Sequence, residues 1–211
     1  MCGLVSIHTD NKDLTRFLPI LEKMTKKIDH RGPDDEGTVH ISNQALFGHK
    51  RLAIIDINHG QQPMCSEDKR YTLVFNGEIY NYIELKDYLI KEGINIKTSS
   101  DTEILFKLLI KKGPEAVNYL NGMFSFVFHD SKKNLWLAAR DHFGIKPLYY
   151  AQCGGDLVFA SEIKAIFEHP EIIPERDDYS LQQYLTFQFC LDDKTLFKGI
   201  KKLNLDILLL V

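Results

Sequence analysis

The second residue of the chain is a cysteine, in Met1-Cys2-Gly3. Removal of Met1 leaves a thiol and its own α-amine on one residue. An amine of pKa about 8 can take the proton from a thiol of pKa about 8.5, directly or through one water, and so activate it as a nucleophile. The small side chain at position 2 suits removal of the initiator, and Gly3 leaves room for close approach. An incidental small apolar residue is the alternative, and Cys2 by itself does not decide between the two.

A thiol that attacks an amide needs donors aimed at the developing oxyanion. In Phe75-Asn76-Gly77-Glu78 the Asn76 side chain and the Gly77 N–H offer two. The same Asn-Gly pair also favours a plain tight turn with positive φ. Arg51 adjoins the apolar run Leu52-Ala53-Ile54-Ile55. A forked guanidinium there holds a carboxylate by two parallel bonds, with a surface salt bridge as the alternative. Asp101 falls in the first turn of a capped helix, where the dipole stabilises a carboxylate in any case. It is equally suited to an ammonium. The 8 histidines include no His-x-x-x-His and no Cys/His cluster, so no metal is expected, and no glycine loop suited to phosphate is present.

These groups need elements to position them. Leu4, Val5 and Ile7 read as a buried strand starting almost at the first residue. Leu18, Leu21, Met24 and Ile28 recur with helical spacing, with Pro19 in the first turn. Arg31–Gly37 reads as a loop, followed by strands at Thr38–Ile41, Ala45–Gly48, Leu52–Ile55 and Tyr71–Phe75. Capping boxes at Asn81/Glu84 and Ser100/Glu103 start two helices that end at Gly93 and at Gly113-Pro114. A hairpin is expected from Met123–His129 and Leu135–Ala139, with further strands at Leu148–Ala151 and Leu157–Ala160. Helices are expected at Glu162–Glu168 and Ser180–Thr186. Trp136, Phe124, Phe126, Phe128 and Tyr149 alternate with strand period and read as core. Strands paired by short turns, with helices grouped between them, predict a largely antiparallel α+β layered fold.

Composition narrows the function. The 211 residues hold 44% hydrophobic and 26% charged residues, and 26 basic residues face 29 acidic ones. That balance excludes a disordered chain and lacks the basic footprint of a nucleic-acid binder. No apolar run is long enough to cross a bilayer, and the N-terminus lacks the features of a signal peptide. Cys2, Cys65, Cys153 and Cys190 form no Cys-x-x-Cys pair, and the expected compartment is reducing and cytoplasmic. The apolar run Leu203–Val211 needs a partner surface or a sheet edge to cover it and reads as the end of a shortened chain.

Several stretches in order resemble a known family: Met1-Cys2-Gly3, His30-Arg31-Gly32-Pro33-Asp34, Arg51–Asp56, Phe75–Asn81, Ser100-Asp101-Thr102-Glu103, Asn121–Phe126 and Arg140–Tyr149. They are similar to the class II glutamine amidotransferase domain of glutamine-hydrolysing asparagine synthetases, over Met1 to about Leu203. The resemblance implies an N-terminal-nucleophile hydrolase, a four-layer αββα sandwich of two mainly antiparallel sheets. It implies Cys2 as nucleophile with its freed amine as base, and Asn76 and Gly77 as the oxyanion hole. Arg51 is implied for the α-carboxylate of L-glutamine, Asp101 for its α-ammonium, Glu78 for the same pocket, and main-chain groups of Leu52, Ala53, Ile54 and Ile55 for the binding segment. Residues 1–190 are then the glutaminase domain, and 191–211 begin a linker to a synthetase domain that these residues do not contain.

The partner implied is that synthetase domain, in cis or in trans, which would use ATP and Mg; the glutaminase domain itself needs no cofactor. Dimerisation is common in the family, and no residue here specifies it. Where the family shows a Pro-Gly turn after Leu203, this sequence has Asn204-Leu205-Asp206. A non-catalytic remnant or interaction module with the same fold is the competing reading. A different N-terminal-cysteine hydrolase is a third, disfavoured by the Arg51 and Asp101 pair, which suits an amino-acid head group.

Overall fold

The computed structural model describes residues 1–10, 14–41, 44–56, 59–204 and 208–210. The first sheet contains β1 (Gly3–His8), β2 (Asp35–Ile41), β3 (Ala45–Arg51), β8 (Tyr149–Cys153), β9 (Asp156–Ala160) and β10 (Ile200–Lys202). The second contains β4 (Met64–Cys65), β5 (Tyr71–Ile79), β6 (Gly122–Asp130), β7 (Leu135–Arg140) and β11 (Leu208–Leu210). Their orders are β10-β8-β9-β1-β3-β2 and β11-β7-β6-β5-β4, and the ladders within them are antiparallel. The helices are α1 (Leu18–Lys27), α2 (Tyr82–Lys91), α3 (Asp101–Lys112), α4 (Ile163–Ile166) and α5 (Asp178–Phe187).

Strand alternation sorts the core into three apolar layers. On β1, Val5 and Ile7 face α1 and α4, whereas Leu4 faces the other sheet. On β6, Phe124, Phe126 and Phe128 pack beneath α2 and α3, and Val127 turns toward the first sheet. Helix, sheet, sheet and helix therefore stack as the expected αββα sandwich, with Trp136 and Phe47 stacked at 5.3 Å between the sheets.

Local expectations fail in instructive places. Asn76-Gly77 forms no turn, because β5 continues through it in nine-residue register with β6. Leu52–Ile55 is not a strand; it leaves the end of β3 as irregular chain. The loop expected at Arg31–Gly37 gives way to β2 from Asp35, and the helix expected at Glu162–Glu168 is the shorter α4. Asn81 does not cap α2: its Nδ2 donates to Tyr119 O and its Oδ1 accepts from Asn121 N, clamping the start of β6. Ser100 does cap α3, accepting from Thr102 N. Glu103 instead accepts from the Lys97 and Thr98 amides. The apolar end meets a sheet edge, Leu208–Leu210 pairing with Ala138–Trp136 of β7, while residues 205–207 and 211 lie outside the described residues.

Two histidines lie buried between the sheets. His49 on β3 donates its Nε2–H across the gap to Phe75 O at 2.9 Å. His129 on β6 sits 4.5 Å from the Trp136 ring, and neither ring nitrogen has a hydrogen-bond partner among the described residues. Burial lowers the pKa of both to about 4, against 6.5 in the unfolded chain. The unfolded state therefore binds the extra protons, so this stability is present above pH 6.5 and is lost as pH falls toward 4. Urea titrations should show a loss of roughly 2 kcal/mol per histidine between pH 7 and 4.5. His129→Phe should flatten that dependence; an unchanged slope would contradict the assignment.

Candidate active site

Alternation also decides which side chains meet at one end of the gap between the sheets. In the first sheet Gly3 pairs with Lys50, which brings Cys2 and Arg51 together at the ends of β1 and β3. In the second, Val74 faces inward, so Asn76 and Glu78 follow it toward the same gap. Asp101 opens α3 just behind β5 and accepts from Ile79 N at 3.1 Å. One cavity is lined by Cys2, Arg51, Leu52, Ile54, Ile55, Asn76, Gly77, Glu78 and Asp101. Ala53 is not in its wall; its N–H donates to Asp34 Oδ2 at 2.9 Å.

The β5–β6 ladder fixes the direction of the Gly77 N–H, one of the two donors expected for an oxyanion. Phe124 gives both its N–H and its C=O to Asp141, on the far side from β5. The Gly77–Phe124 pair is therefore not a hydrogen-bonded pair of the β5–β6 ladder, and the Gly77 N–H points away from β6. The Asn76 Nδ2 is buried and has no hydrogen-bond partner among the described residues. Gly77 is required by contact rather than by φ: a Cβ there would lie 2.3 Å from Met123 O.

The Cys2 thiol lies 3.6 Å from Leu52 O and accepts from Leu52 N at 3.4 Å. Burial raises its pKa, opposed by the Leu52 hydrogen bond and by the positive charges of the chain terminus and Arg51. The net effect favours the thiol over the thiolate. Burial also raises the Asp101 carboxyl, against the pull of the Ile79 and Thr102 amides. Arg51 donates through Nη2 to Ile55 O and Asp56 O at 3.1 and 2.7 Å, and Gly60 lies so close that a Cβ would come within 2.4 Å of that nitrogen. The irregular chain after β3 thus serves to seat the guanidinium.

Other residues around the site were not singled out in the sequence, and of those that line the cavity only Gln62 lies outside the motifs that carry the resemblance. Arg31 is buried and donates from Nε to Cys2 O at 2.8 Å, while its Nη1 pairs with Glu162 at 2.9 Å. Burial raises the Glu162 pKa, but Arg31, Lys164 and His30 outweigh it and hold the group at about 2. Gln62 accepts from Phe75 N at 2.6 Å and lines the cavity together with Phe75, Thr102, Met123 and Lys146. Met1 lines it too and is exposed.

A four-layer sandwich with a cysteine thiol of the second residue at the mouth between its sheets defines the class: an N-terminal-nucleophile fold. The chain belongs to the glutamine amidotransferase domain family, which matches residues 1–211. Glutamine-hydrolysing asparagine synthetase 1 of Bacillus subtilis is 40% identical over 206 residues, 97% of this chain and 32% of the relative. A probable asparagine synthetase of Schizosaccharomyces pombe is 41% identical over 173 residues, 81% of this chain and 30% of the relative. The chain thus spans about a third of the length of these relatives. Glutamine phosphoribosylpyrophosphate amidotransferase of Bacillus subtilis shares the fold, with a TM-score of 0.67 and 23% identity over 83% of this chain and 45% of that one.

An unpaired buried donor is a cost to the folded state, of about 1–3 kcal/mol. Replacing it by an apolar group of similar size, Asn76→Leu, should therefore leave the thermal midpoint unchanged or raised. A midpoint lowered by many degrees would mean that the amide has a structural partner.

Proposed function

We propose that the chain is the glutamine-hydrolysing half of an asparagine synthetase. It releases ammonia from L-glutamine through a Cys2 thioester and supplies it to an ATP-dependent synthetase domain, in cis or in trans. One observation carries the reading: a single cavity holds a cysteine thiol, an unpartnered amide donor, a guanidinium and a carboxylate. A zwitterionic amino acid needs one cation and one anion at its head, set apart from the nucleophile. Arg51 takes the α-carboxylate, Asp101 the α-ammonium, and Glu78 lines the same pocket. Leu52, Ile54 and Ile55 form the wall beside them.

With Met1 removed, the Cys2 amine accepts the thiol proton as Sγ attacks the side-chain carbonyl. The Asn76 amide and Gly77 N–H hold the resulting oxyanion. As the tetrahedral species collapses, the C–N bond breaks, the amine returns the proton, and ammonia leaves. Water then adds to the thioester with the same amine as base, giving glutamate and the free thiol. With Met1 in place the Cys2 nitrogen is an amide and cannot act as the base, so processing is part of the mechanism.

The test joins intact mass with glutamate release from L-glutamine. Loss of Met1 together with turnover that vanishes in Cys2→Ala is the expected result. Turnover that survives Cys2→Ala would overturn the mechanism, and retained Met1 with no turnover would favour a silent domain. Asn76→Leu should lower kcat by about 10²- to 10³-fold, the usual loss for one oxyanion donor. Gly60→Ala should displace the flexible end of Arg51, raising KM for L-glutamine by about tenfold with little change in kcat or thermal midpoint.

A further inference from the structure

Away from the active site, on the helix-facing side of the first sheet, three metal-ligating side chains converge. Cys153 ends β8 and Asp156 begins β9, opposite one another across a two-residue turn. Gly154 and Gly155 make that turn with φ of +53° and +91°. His169 follows α4 and is fully buried. Cys153 Sγ lies 3.5 Å from His169 Nδ1, and His169 Nε2 lies 3.2 Å from Asp156 Oδ2. One ligand atom from each residue lies within 4.8 Å of the others. The proposed mechanism uses none of the three.

The spacing suits a tetrahedral cation. Ligand bonds of about 2.3 Å to sulfur and about 2.0 Å to nitrogen put the two donors about 3.5 Å apart. The Asp156 carboxylate holds the far nitrogen of His169, as outer carboxylates do for metal-bound histidines, and so directs the Nδ1 lone pair toward Cys153. The present claim on that lone pair is weak, a Glu171 N–H at 3.4 Å. The Glu171 carboxylate lies over Gly154, where a Cβ would meet it at 2.5 Å, and adds negative charge. The Asp156 and Glu171 carboxylates thus stand beside Cys153, with Arg16 pairing the other Glu171 oxygen.

We propose that Cys153 and His169, with Asp156 as the orienting carboxylate, form a binding site for a thiophilic divalent cation of the Zn2+ type. Thiolate and imidazole donors select such an ion over Mg2+ or Ca2+. Sequence spacing conceals the site because its ligands come from a hairpin and from a turn after a separate short helix.

The experiment uses the full chain carrying Cys2→Ser, so that the other cavity thiol cannot contribute. Equilibrium dialysis and calorimetry with Zn2+ alone should give one equivalent per chain. Adding Cys153→Ser should weaken uptake by at least about 100-fold, and Asp156→Asn by about 10- to 100-fold. Co2+ should give a thiolate-to-cobalt charge-transfer band that disappears with Cys153→Ser, while the metal-free thermal midpoint stays that of the parent. No Zn2+ uptake by the Cys2→Ser protein, or uptake indifferent to Cys153→Ser, would overturn the proposal.

Discussion

The cavity between the sheets depends on where Cys2 is held, and its position rests on what grips the residues just after it. Here β1 lies in the interior of its sheet, paired with β3 on one side and β9 on the other, with Leu4, Val5 and Ile7 wholly buried. Arg31 fixes the Cys2 carbonyl from a third direction, and Glu162 fixes Arg31. Long-range pairing therefore sets the place of the thiol, and the motif His30–Asp34 contributes through its buried guanidinium rather than by lining the cavity.

The other half of the site follows from accounting for the buried amides along one edge of β5. Phe75, Gly77 and Ile79 turn their polar groups away from β6, and β4 is too short to cover them, since it pairs only with Leu73 and Thr72. A buried N–H must find a partner. Gln62 serves Phe75, Asp101 serves Ile79, and His49 serves the Phe75 carbonyl. Between them lies Gly77, beside the unpartnered Asn76 amide. The acceptors that satisfy this edge, Gln62 and Asp101, are thereby pinned in the cavity wall, so strand geometry and the shape of the cavity share the same hydrogen bonds.

This sharing explains what could be read in the sequence and what could not. Residue type made Cys2, Arg51 and Asp101 candidates, which one cavity brings together, and capping chemistry gave away the start of α3. The Asn76-Gly77 turn propensity lost to nine-residue pairing with β6, where a glycine is needed because Met123 O approaches so closely. Leu52–Ile55 has the composition of a buried strand, yet its backbone is spent on the Cys2 thiol, Asp34 and Arg51. Gln62 belongs to no pattern and Lys146 only to the motif Arg140–Tyr149; both line the cavity because separate elements bring them there. Alternation predicted the layers well because it is local, whereas these polar contacts span tens of residues.

Two cysteines of one chain show how surroundings assign chemistry to a side chain. Burial raises the thiol pKa of both Cys2 and Cys153. Beyond that they diverge. Positive charge from Arg51 and the chain terminus, with the Leu52 N–H, lowers the cost of a thiolate at Cys2. At Cys153 the neighbouring carboxylates of Asp156 and Glu171 raise it. Negative charge on sulfur as its proton leaves is thus met mainly by positive charge at the first site and by carboxylates at the second, where a bound cation would reverse the sign. The division of labour between the two thiols is therefore a matter of the sign of the local field, set by which elements the fold brings alongside each.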